Sequence, residues 1–494
     1  MSTKRYTVTV ITGTKQHADT RARAHITLEG ALGATPEQNL AGDFGAGTTR
    51  RFPIESPDLG NLQTVTIRHD NTGDAPAWFL DKVLIKDEAT GAEWIFRCGA
   101  WLSQDGGLSR TLTGELLKPG AEVTPTLSVD WAWGANNWKQ ADGDAEGLRN
   151  KPVTLSHLTD NGVRALASGG WHNLALMENG TMQAWGANNF GQLGDDTTTT
   201  PTKAVEVSHL SKLGLRAKAI SAGTWQCLAL LEDGTVRAWG RNDYGQLGIG
   251  SVGIHGAGEV VGLRGVKAIA AGGWHGLALL ENGEIWAWGY DGNGQLGNAT
   301  TTSTTSKPVP VKISDFGGAK VKAISAGWRH SLALLEDGTV WAWGQNNFGQ
   351  VGNGTLSASI DTPVKVLNLT GVKAIAASTN ADFDESYSMA LREDGTVWVW
   401  GLNNWGQLGN RPTVGYSATP ERAFDLTGVT AIAAGGWHAL VLLRDGTVRT
   451  WGANNWGQLG DGTQLTTKDK LVQLAELTDI KAISAGGWHC VAAR

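Results

Sequence analysis

One ten-residue motif recurs along this chain and constrains its fold more than any other feature. WGxNxxGQLG occurs in six near-identical copies, and a degraded copy, WGANNWKQADG, precedes them; the copies begin at Trp133, Trp185, Trp239, Trp288, Trp343, Trp400 and Trp451. Successive copies are 52, 54, 49, 55, 57 and 51 residues apart. Repeats of about this length are typical of propeller blades and helical arrays, so the interior of the repeat must decide between them.

The interior of the repeat predicts β-strands. Before each Trp-Gly pair, two short alternating runs are joined at a turn such as Glu336-Asp337-Gly338, which is typical of a β-hairpin. An apolar run at 321–326 and a Pro-Val segment at 310–311 supply two further strands in the same copy. Four short strands without helical periodicity predict that each repeat is one blade of a β-propeller.

The two ends of the repeat region complete each other. The final repeat ends at residues 483–494 without its DGTVxxWG strand, and residues 127–133 begin the region with that strand. We therefore predict an all-β chain in which residues 127–494 form seven blades. One composite blade, built from both ends, closes the ring and removes the exposed edges of an open array.

The repeats also resemble a known family. Their shared pattern, AAGxxHSLALLEDGTVWAWGxNxxGQLG, resembles the regulator of chromosome condensation repeat, and this resemblance implies a seven-bladed propeller. Trp328-Arg329-His330 further resembles the GWRH motif of the plant ultraviolet-B photoreceptor branch, although in one repeat only. Exchange activity on a small GTPase, known in this family, has no separate signal in the sequence, because a shared fold does not carry a shared function.

Residues 1–113 have no such repeat. They contain alternating apolar runs between turns rich in Gly, Asp, Asn and Pro, which predict a β-sandwich with strands at 6–10, 25–28, 64–67 and 82–85. The segments that resemble a PLAT domain are 10–13, 58–60, 69–71, 76–83 and 98–102. Residues 114–126 are predicted to be a polar linker.

The PLAT resemblance implies docking to membranes or membrane-associated proteins, in some members through calcium. Trp78 and Phe79 are the candidate lipid-contacting residues, and packing inside the sandwich is the favoured alternative. Arg21 stands where the family's AGTDA loop carries a calcium-binding Asp. A cation in place of a carboxylate predicts that this domain binds without calcium.

Composition excludes several classes of protein. The net charge is −6, which argues against a nucleic-acid partner. No apolar run approaches the length that crosses a bilayer, and the N-terminus lacks a signal peptide, so we expect a cytoplasmic protein, either free or peripheral to a membrane. The three cysteines form neither a disulfide nor a zinc pattern. With no motif for a nucleophile or a phosphate cradle, we expect no catalytic residue, no metal, no cofactor and no enzyme activity.

The main candidate site is a set of tryptophans that follow an Ala-Gly or Ser-Gly pair near the start of a strand. We call them the crown tryptophans: Trp171, Trp225, Trp274, Trp328, Trp437 and Trp488. Their equivalent positions predict that they lie at one end of every blade. They pack on one another, or they present aromatic faces to a protein partner, a flat ligand or a second copy of the chain.

Other repeated residues are predicted to be structural. The Trp of each Trp-Gly pair should pack between blades, whereas the position two residues earlier (Trp131, Trp286, Trp341 and Trp398, and Gln or Arg elsewhere) should be half-exposed. The aromatic residues five positions after the Trp-Gly Trp in six of the repeats are predicted to wedge between blades; they are Trp138, Phe190, Tyr244, Phe348, Trp405 and Trp456. The repeated histidines, one in most blades, should form a hydrogen bond to the neighbouring blade rather than bind a metal.

One repeat departs from its siblings. Residues 376–391 are about six residues longer, with Tyr387 in the His position and no Trp. Either the loop varies without consequence, or its acidic residues Asp382, Asp384 and Glu385 determine specificity, because inserted loops on rigid scaffolds often carry function.

These observations favour a binding scaffold with two docking domains, which contacts a protein partner or itself through the propeller and a membrane or lipid through the PLAT-like domain. A light- or GTPase-linked regulator and an oligomeric structural protein remain the alternatives.

Overall fold

The structure of the chain is a computed structural model. It describes residues 3–12, 24–40, 49–60, 62–69, 78–89, 92–102, 109–113, 115–118, 129–141, 147–155, 162–253, 256–299, 306–313, 316–379, 386–409, 415–464 and 467–494. The chain divides into two compact units, residues 1–125 and 126–494. Over the described ranges, regular structure consists of β-strands and one helical turn, α1 (Ser208–Ser211), which confirms the all-β prediction. No helix in these ranges is long and apolar enough to cross a membrane.

The described residues of the first unit form ten strands in two sheets. The strands are β1 (Thr3–Thr12), β2 (Ala24–Gly30), β3 (Gly33–Ala34), β4 (Gln38–Leu40), β5 (Thr49–Pro57), β6 (Leu62–His69), β7 (Trp78–Asp87), β8 (Glu93–Leu102), β9 (Ser109–Thr113) and β10 (Glu115–Lys118). One sheet has the order β10-β8-β7-β1-β5, and the other has the order β3-β2-β6-β9 with β4 also paired to β2. All four runs predicted to be strands in this unit lie inside strands.

Alternation of apolar and polar residues builds the core of this unit. In β2, Ala24, Ile26 and Leu28 are buried and the residues between them are half-buried or exposed. A single buried cluster joins these side chains to Val8 and Val83 of the other sheet. Because the two sheets share one core, their apolar faces are removed from water together.

The second unit contains the repeats. Its strands are β11 (Val129–Ala135), β12 (Leu148–Thr154), β13 (Val163–Ser168), β14 (His172–Met177), β15 (Met182–Gly186), β16 (Val205–Glu206), β17 (Ala217–Ala222), β18 (Gln226–Leu231), β19 (Val236–Gly240), β20 (Gly256–Glu259), β21 (Val266–Ala271), β22 (His275–Leu280), β23 (Ile285–Tyr290), β24 (Ser306–Lys312), β25 (Val321–Ala326), β26 (His330–Leu335), β27 (Val340–Asn346), β28 (Ser357–Lys365), β29 (Val372–Ala377), β30 (Tyr387–Arg392), β31 (Val397–Leu402), β32 (Tyr416–Arg422), β33 (Val429–Ala434), β34 (His438–Leu443), β35 (Val448–Ala453), β36 (Thr467–Gln473), β37 (Ala482–Ala485) and β38 (His489–Ala493).

Within the described residues, these strands form seven four-stranded antiparallel sheets. The first to sixth repeat sheets are β13–β16, β17–β20, β21–β24, β25–β28, β29–β32 and β33–β36, each in sequence order. The seventh has the order β37-β38-β11-β12, so that β11 from the start of the region pairs with β38 from the end of the chain. The strand that begins each sheet is called its inner strand below.

The inner strands contact one another in a cyclic order. Each inner strand contacts those of the preceding and the following sheet, and β13 of the first sheet contacts β37 of the seventh. Serine hydroxyls support three of these contacts: Ser221 Oγ accepts from Ala271 N, Ser325 Oγ from Ala377 N, and Ser484 Oγ from Ser168 N, at 2.9 to 3.0 Å.

A short turn joins the second and third strands of each sheet. In the fourth sheet, the Asp337 carboxylate accepts hydrogen bonds from Thr339 N at 2.9 Å and Thr339 Oγ1 at 2.7 Å. Gly338 between them has φ +76°, a conformation that costs a glycine little. The Asp-Gly-Thr sequence therefore fixes the position of the Trp-Gly strand that follows.

Candidate functional site

The crown tryptophans follow the inner strands, as the sequence predicted for one end of every blade. Trp274, for example, lies between the last residue of β21, Ala271, and the first residue of β22, His275. Trp328 and Arg329 occupy the corresponding loop of the fourth sheet, between β25 and β26. All six crown tryptophans thus lie at the end of their sheets where the inner strand finishes, which we call the crown end.

Burial divides the crown tryptophans into two groups. Trp171, Trp328, Trp437 and Trp488 are only 8%, 4%, 5% and 3% exposed within the single chain. Trp225 and Trp274 are half-buried. The first four therefore contribute mainly to packing, and the exposed part of the crown is centred on the other two.

The buried part of the crown is a continuous aromatic cluster. The Trp437 and Trp488 rings are 4.5 Å apart edge to face, the Trp171 and Trp488 rings are 6.2 Å apart, and Trp405 stacks on Trp437 at 5.0 Å. Trp138 and Trp456, from the loops after the Trp-Gly strands, pack against the same cluster. These distances are in the range of favourable ring pairs, and they confirm that the loop aromatics pack between neighbouring repeats.

The open part of the crown combines aromatic rings with two arginines. Trp274 contacts Tyr244 at 5.3 Å and Trp328 at 5.5 Å, both edge to face. The Arg241 guanidinium lies 4.6 Å from the Phe190 ring and 4.7 Å from the Trp274 ring. Arg329 lies 5.5 Å from the Tyr290 ring and 5.9 Å from the Trp328 ring. The role of Arg241 was not predicted from the sequence, because the residue after the Trp-Gly pair varies among the repeats.

Hydrogen bonds between neighbouring repeats hold the crown in place. The indole N–H of the Trp in every Trp-Gly pair donates to the carbonyl of the motif Gln in the preceding sheet, at 2.8 to 3.1 Å. All seven indoles are at most 1% exposed. The prediction that these residues pack between repeats is confirmed. The role of the Gln carbonyl was not predicted, although the sequence carries a signal for it, because Gln is present even in the degraded copy, as Gln140.

Comparison with known proteins identifies the family. Residues 130–492 match the RCC1-like domain. The chain belongs to the RCC1-like domain family. Residues 6–113 match the PLAT/LH2 domain, so both resemblances seen in the sequence are confirmed.

Relatives of this RCC1-like chain differ in how much of their length is shared. It is 31% identical to the ultraviolet-B receptor UVR8 of Arabidopsis thaliana over 67% of this chain and 74% of UVR8. It is 30% identical to the E3 ubiquitin-protein ligase HERC2 of Homo sapiens over 73% of this chain but only 8% of HERC2. The solved structure of Prp20p from Saccharomyces cerevisiae has a TM-score of 0.64 at 23% identity, covering 74% of this chain and 92% of Prp20p, and this shows a shared fold.

The histidines of the RCC1-like unit belong to the same hydrogen-bond network. His275 Nε2 lies 2.9 Å from Ser331 Oγ of the next sheet. Ser331 donates to the Gln295 carbonyl, which also accepts from the Trp343 indole, both at 2.9 Å. Because the Ser331 proton is used there, its oxygen accepts from His275 Nε2–H.

Four other histidines make the equivalent bond to the next sheet. His172 pairs with Cys227, His330 with Ser388, His438 with Cys490, and His489 with Asn173, at 2.8 to 3.1 Å. The prediction of a repeated inter-blade hydrogen bond is confirmed. Gln226 and Tyr387 replace His in the remaining two described loops, and they bond to backbone carbonyls of the next sheet.

Burial keeps these histidines neutral. Desolvation lowers the pKa of His172, His275, His330, His438 and His489 to about 3. Across the residues that the structure describes, no group of three or more His, Cys, Asp or Glu side chains is placed to hold a metal ion. The network is therefore an arrangement of neutral hydrogen bonds.

The remaining candidate residues are only partly described. Asp382, Asp384 and Glu385 lie outside the described residues, as does Arg21. Trp78 and Phe79 lie at the start of β7, where they pair with Leu102 and Trp101 of β8.

A groove of about 550 Å³ lies on the PLAT unit. Thr7, Arg51, Lys86 and Trp94 are among the residues that line it.

Proposed function

We propose that this protein is a non-enzymatic binding scaffold whose RCC1-like unit contacts a protein partner, or a second copy of itself, through the crown end. The observation that carries this proposal is the open part of the crown: half-buried Trp225 and Trp274 beside Arg241, which is held between two aromatic rings. Large aromatic residues and Arg are the side chains most enriched at the centres of protein interfaces.

A rigid ring would support such a surface. We propose that the seven repeat sheets are blades of one closed propeller. The seven indole-to-carbonyl hydrogen bonds support this, since each joins one sheet to the preceding one and Trp133 joins the seventh sheet to the sixth. Cyclic contact between the inner strands supports it as well.

The domain organisation is part of the same proposal. Residues 1–113 are proposed to form a β-sandwich of PLAT type, residues 114–126 a linker, and residues 127–494 the propeller. The single core shared by the two sheets of the first unit supports the sandwich.

Protein binding is a documented use of this fold. The structure of Prp20p was described together with its binding to Gsp1p and histones. The acidic loop with Asp382, Asp384 and Glu385 is proposed to add specificity at the same end, because it replaces a crown loop between β29 and β30.

Mutation of the open crown tests the binding proposal. We expect Trp225→Ala with Trp274→Ala to weaken association by about 2–4 kcal/mol at an almost unchanged melting temperature, because interface aromatics are half-exposed in the free protein. The matched control is Trp437→Ala with Trp488→Ala, which removes two buried rings and should lower stability by about 3–5 kcal/mol per residue.

Light scattering gives the oligomeric state, and pull-down with the full chain as bait gives the partners. If the Trp225 and Trp274 variant kept every partner and its oligomeric state but lost stability, the crown would be a packing feature and the proposal would be wrong.

A light-regulated contact is the second candidate function. It is favoured by the Gly327-Trp328-Arg329-His330 loop, with the Trp274 and Trp328 rings 5.5 Å apart, together with the similarity to an ultraviolet-B receptor. We expect ultraviolet-B irradiation to change the oligomeric state of the wild type but not that of Trp274→Phe. An unchanged oligomeric state of the wild type under irradiation would eliminate this candidate.

The PLAT unit is proposed to dock to a membrane or a membrane-associated protein without calcium. The test is co-sedimentation of the full chain with vesicles of phosphatidylcholine and phosphatidylserine, with and without a calcium chelator. Equal binding in both conditions is expected. Loss of binding on chelation would show that the site uses calcium despite Arg21.

A further inference from the structure

A second repeated feature lies at the opposite end of the inner strands from the crown. The residue directly before the Ala-Ile or Ala-Leu pair of the inner strand is basic in six of the seven repeat sheets and Thr430 in the other. We call the six residues the basic ring: Arg164, Lys218, Lys267, Lys322, Lys373 and Lys481.

The backbone leaves these residues outside the strand ladder. In the third sheet, Val266 of β21 pairs with Leu280 of β22, and the next pair is Ala268 with Leu279. Lys267 is therefore an extra residue in β21 that has no pairing partner in β22. The same step occurs at Arg164, Lys218, Lys322 and Lys373. Such β-bulges redirect a side chain away from the regular face of the sheet.

The cyclic contact of the inner strands places the basic residues around one axis. Lys267 is four residues before Ala271, the last residue of β21, which separates it from the crown end by about 13 Å. Lys267, Lys322 and Lys481 are exposed, and Arg164, Lys218 and Lys373 are half-buried.

No carboxylate neutralises the ring among the residues that the structure describes. None of the six side chains has an ion pair within those ranges, although many other basic residues of the chain do. Lys481 Nζ instead donates to the Asp479 carbonyl at 2.9 Å. Six cations around one axis repel one another, so an anion at the centre would lower their energy.

Carboxylates surround the ring on the same end of the sheets. The hairpin turns lie beside the starts of the inner strands, as the hydrogen bond from Glu281 N to Gly265 O shows. Hydrogen bonds from the following Thr lower the pKa of the turn residues Asp233, Asp337, Asp394 and Asp445, so these are ionised at neutral pH. Arginines lie beside some of these aspartates, as Arg392 does beside Asp394 at 3.3 Å, so the charge around the ring is mixed whereas the ring itself is positive.

We propose that the basic ring is a binding site for a compact polyphosphate anion. A small molecule that carries several phosphates contacts several cations at once, and Lys is a common point-charge ligand of phosphate. A compact anion places all of its charge at the ring, whereas an extended polyanion such as a nucleic acid would place most of its phosphates outside it. This proposal concerns a different end of the sheets and does not depend on the function of the crown.

Calorimetric titration of the full chain tests the site, with inositol hexakisphosphate and sodium tripolyphosphate as probes. The ring variant is Lys218→Gln, Lys267→Gln and Lys322→Gln. The control variant, Lys203→Gln, Lys365→Gln and Lys470→Gln, loses the same charge from exposed positions outside the ring.

We expect the wild type and the control to bind, with affinity that falls as salt increases, and the ring variant to bind at least about tenfold more weakly. The probes should also raise the melting temperature of the wild type more than that of the ring variant. Equal loss in both variants, absence of binding by the wild type, or stronger binding of hexaglutamate than of either probe would overturn the proposal.

Discussion

Trp133 donates its indole N–H to the backbone carbonyl of Gln458 across 2.9 Å, although 325 residues separate them in the chain. The six other Trp-Gly tryptophans make the same bond to a Gln about 42 to 50 residues away. The long-range bond thus joins the start of the RCC1-like unit to its last complete repeat in the same way that neighbouring repeats are joined.

This relationship predicts that Trp133 is as important for stability as any internal Trp. We expect Trp133→Ala to lower the free energy of unfolding by about 3–5 kcal/mol, because loss of a fully buried indole leaves a cavity and removes its hydrogen bond to the Gln458 carbonyl. Urea denaturation gives the change, with Trp131→Ala, at a half-buried position on the same strand, as the control. If the two substitutions cost the same, the contact between the chain ends contributes little.

The buried histidines predict loss of stability in acid. His275 has a pKa of about 3 in the folded protein because of burial, against 6.5 in the unfolded chain. The unfolded state therefore takes up a proton first, and the contribution of neutral His275 is complete above pH 6.5 and is lost as the pH falls toward 3. At pH 5 the stability that has been lost is about 2 kcal/mol for a single histidine.

We expect His275→Gln to reduce the difference in unfolding free energy between pH 7 and pH 5, because Gln does not titrate and Gln226 already serves at the equivalent position. Gln226→His should do the reverse and increase the acid sensitivity. Unfolding measured by denaturant at the two pH values checks both variants, and parallel pH profiles for all three proteins would contradict the argument.

The raised pKa of Asp291 predicts that its contribution to stability falls as the pH rises, opposite to that of the histidines. It replaces the motif Asn of the six other repeats, and burial, with a smaller contribution from nearby Asp361, raises its pKa to about 6. Asn188 donates its amide to the Thr197 carbonyl at this position, which an ionised carboxylate cannot do. The stability from protonated Asp291 is present in acid and is lost as the pH rises through 6.

We therefore expect Asp291→Asn to raise the melting temperature more at pH 8 than at pH 5. The substituted Asn keeps the side-chain oxygen that accepts a hydrogen bond. Leu296 N donates to Asp291 Oδ1 in this repeat, as Leu193 N donates to Asn188 Oδ1 in another. A gain that is the same at both pH values would mean that ionisation of Asp291 does not matter.

The backbone conformation of Lys139 predicts that replacing it with Gly stabilises the protein. It has φ +61°, where the corresponding residue of the other repeats is a Gly such as Gly191 at φ +71° or Gly457 at φ +71°. Lys139→Gly should raise the free energy of unfolding by about 1 kcal/mol, because a side chain is strained in this conformation. Gly457→Ala should destabilise, since its Cβ would lie 2.6 Å from Asn150 Cα. Thermal unfolding of both variants checks the prediction, and destabilisation by Lys139→Gly would refute it.

The sequence by itself determined the local structure of the repeats. The spacing of the Trp-Gly pairs, the alternation of apolar residues and the Asp-Gly turns are properties of short segments, and they predicted strands, hairpins and the all-β class. The half-exposed positions of Trp286 and Trp341 were also predictable, because other repeats carry Gln or Arg at the same place in the strand.

Only the tertiary structure decided what the repeated side chains do. Trp171 and Trp488 are buried while Trp274 is half-buried, although all three occupy the same place in the repeat. Their exposure depends on the loops of neighbouring sheets, which differ in their aromatic and charged residues. The bond from Ser331 to the Gln295 carbonyl and the basic ring likewise arise where separate repeats meet. Spacing along the chain does not encode such contacts, because they depend on which faces of different sheets are brought together.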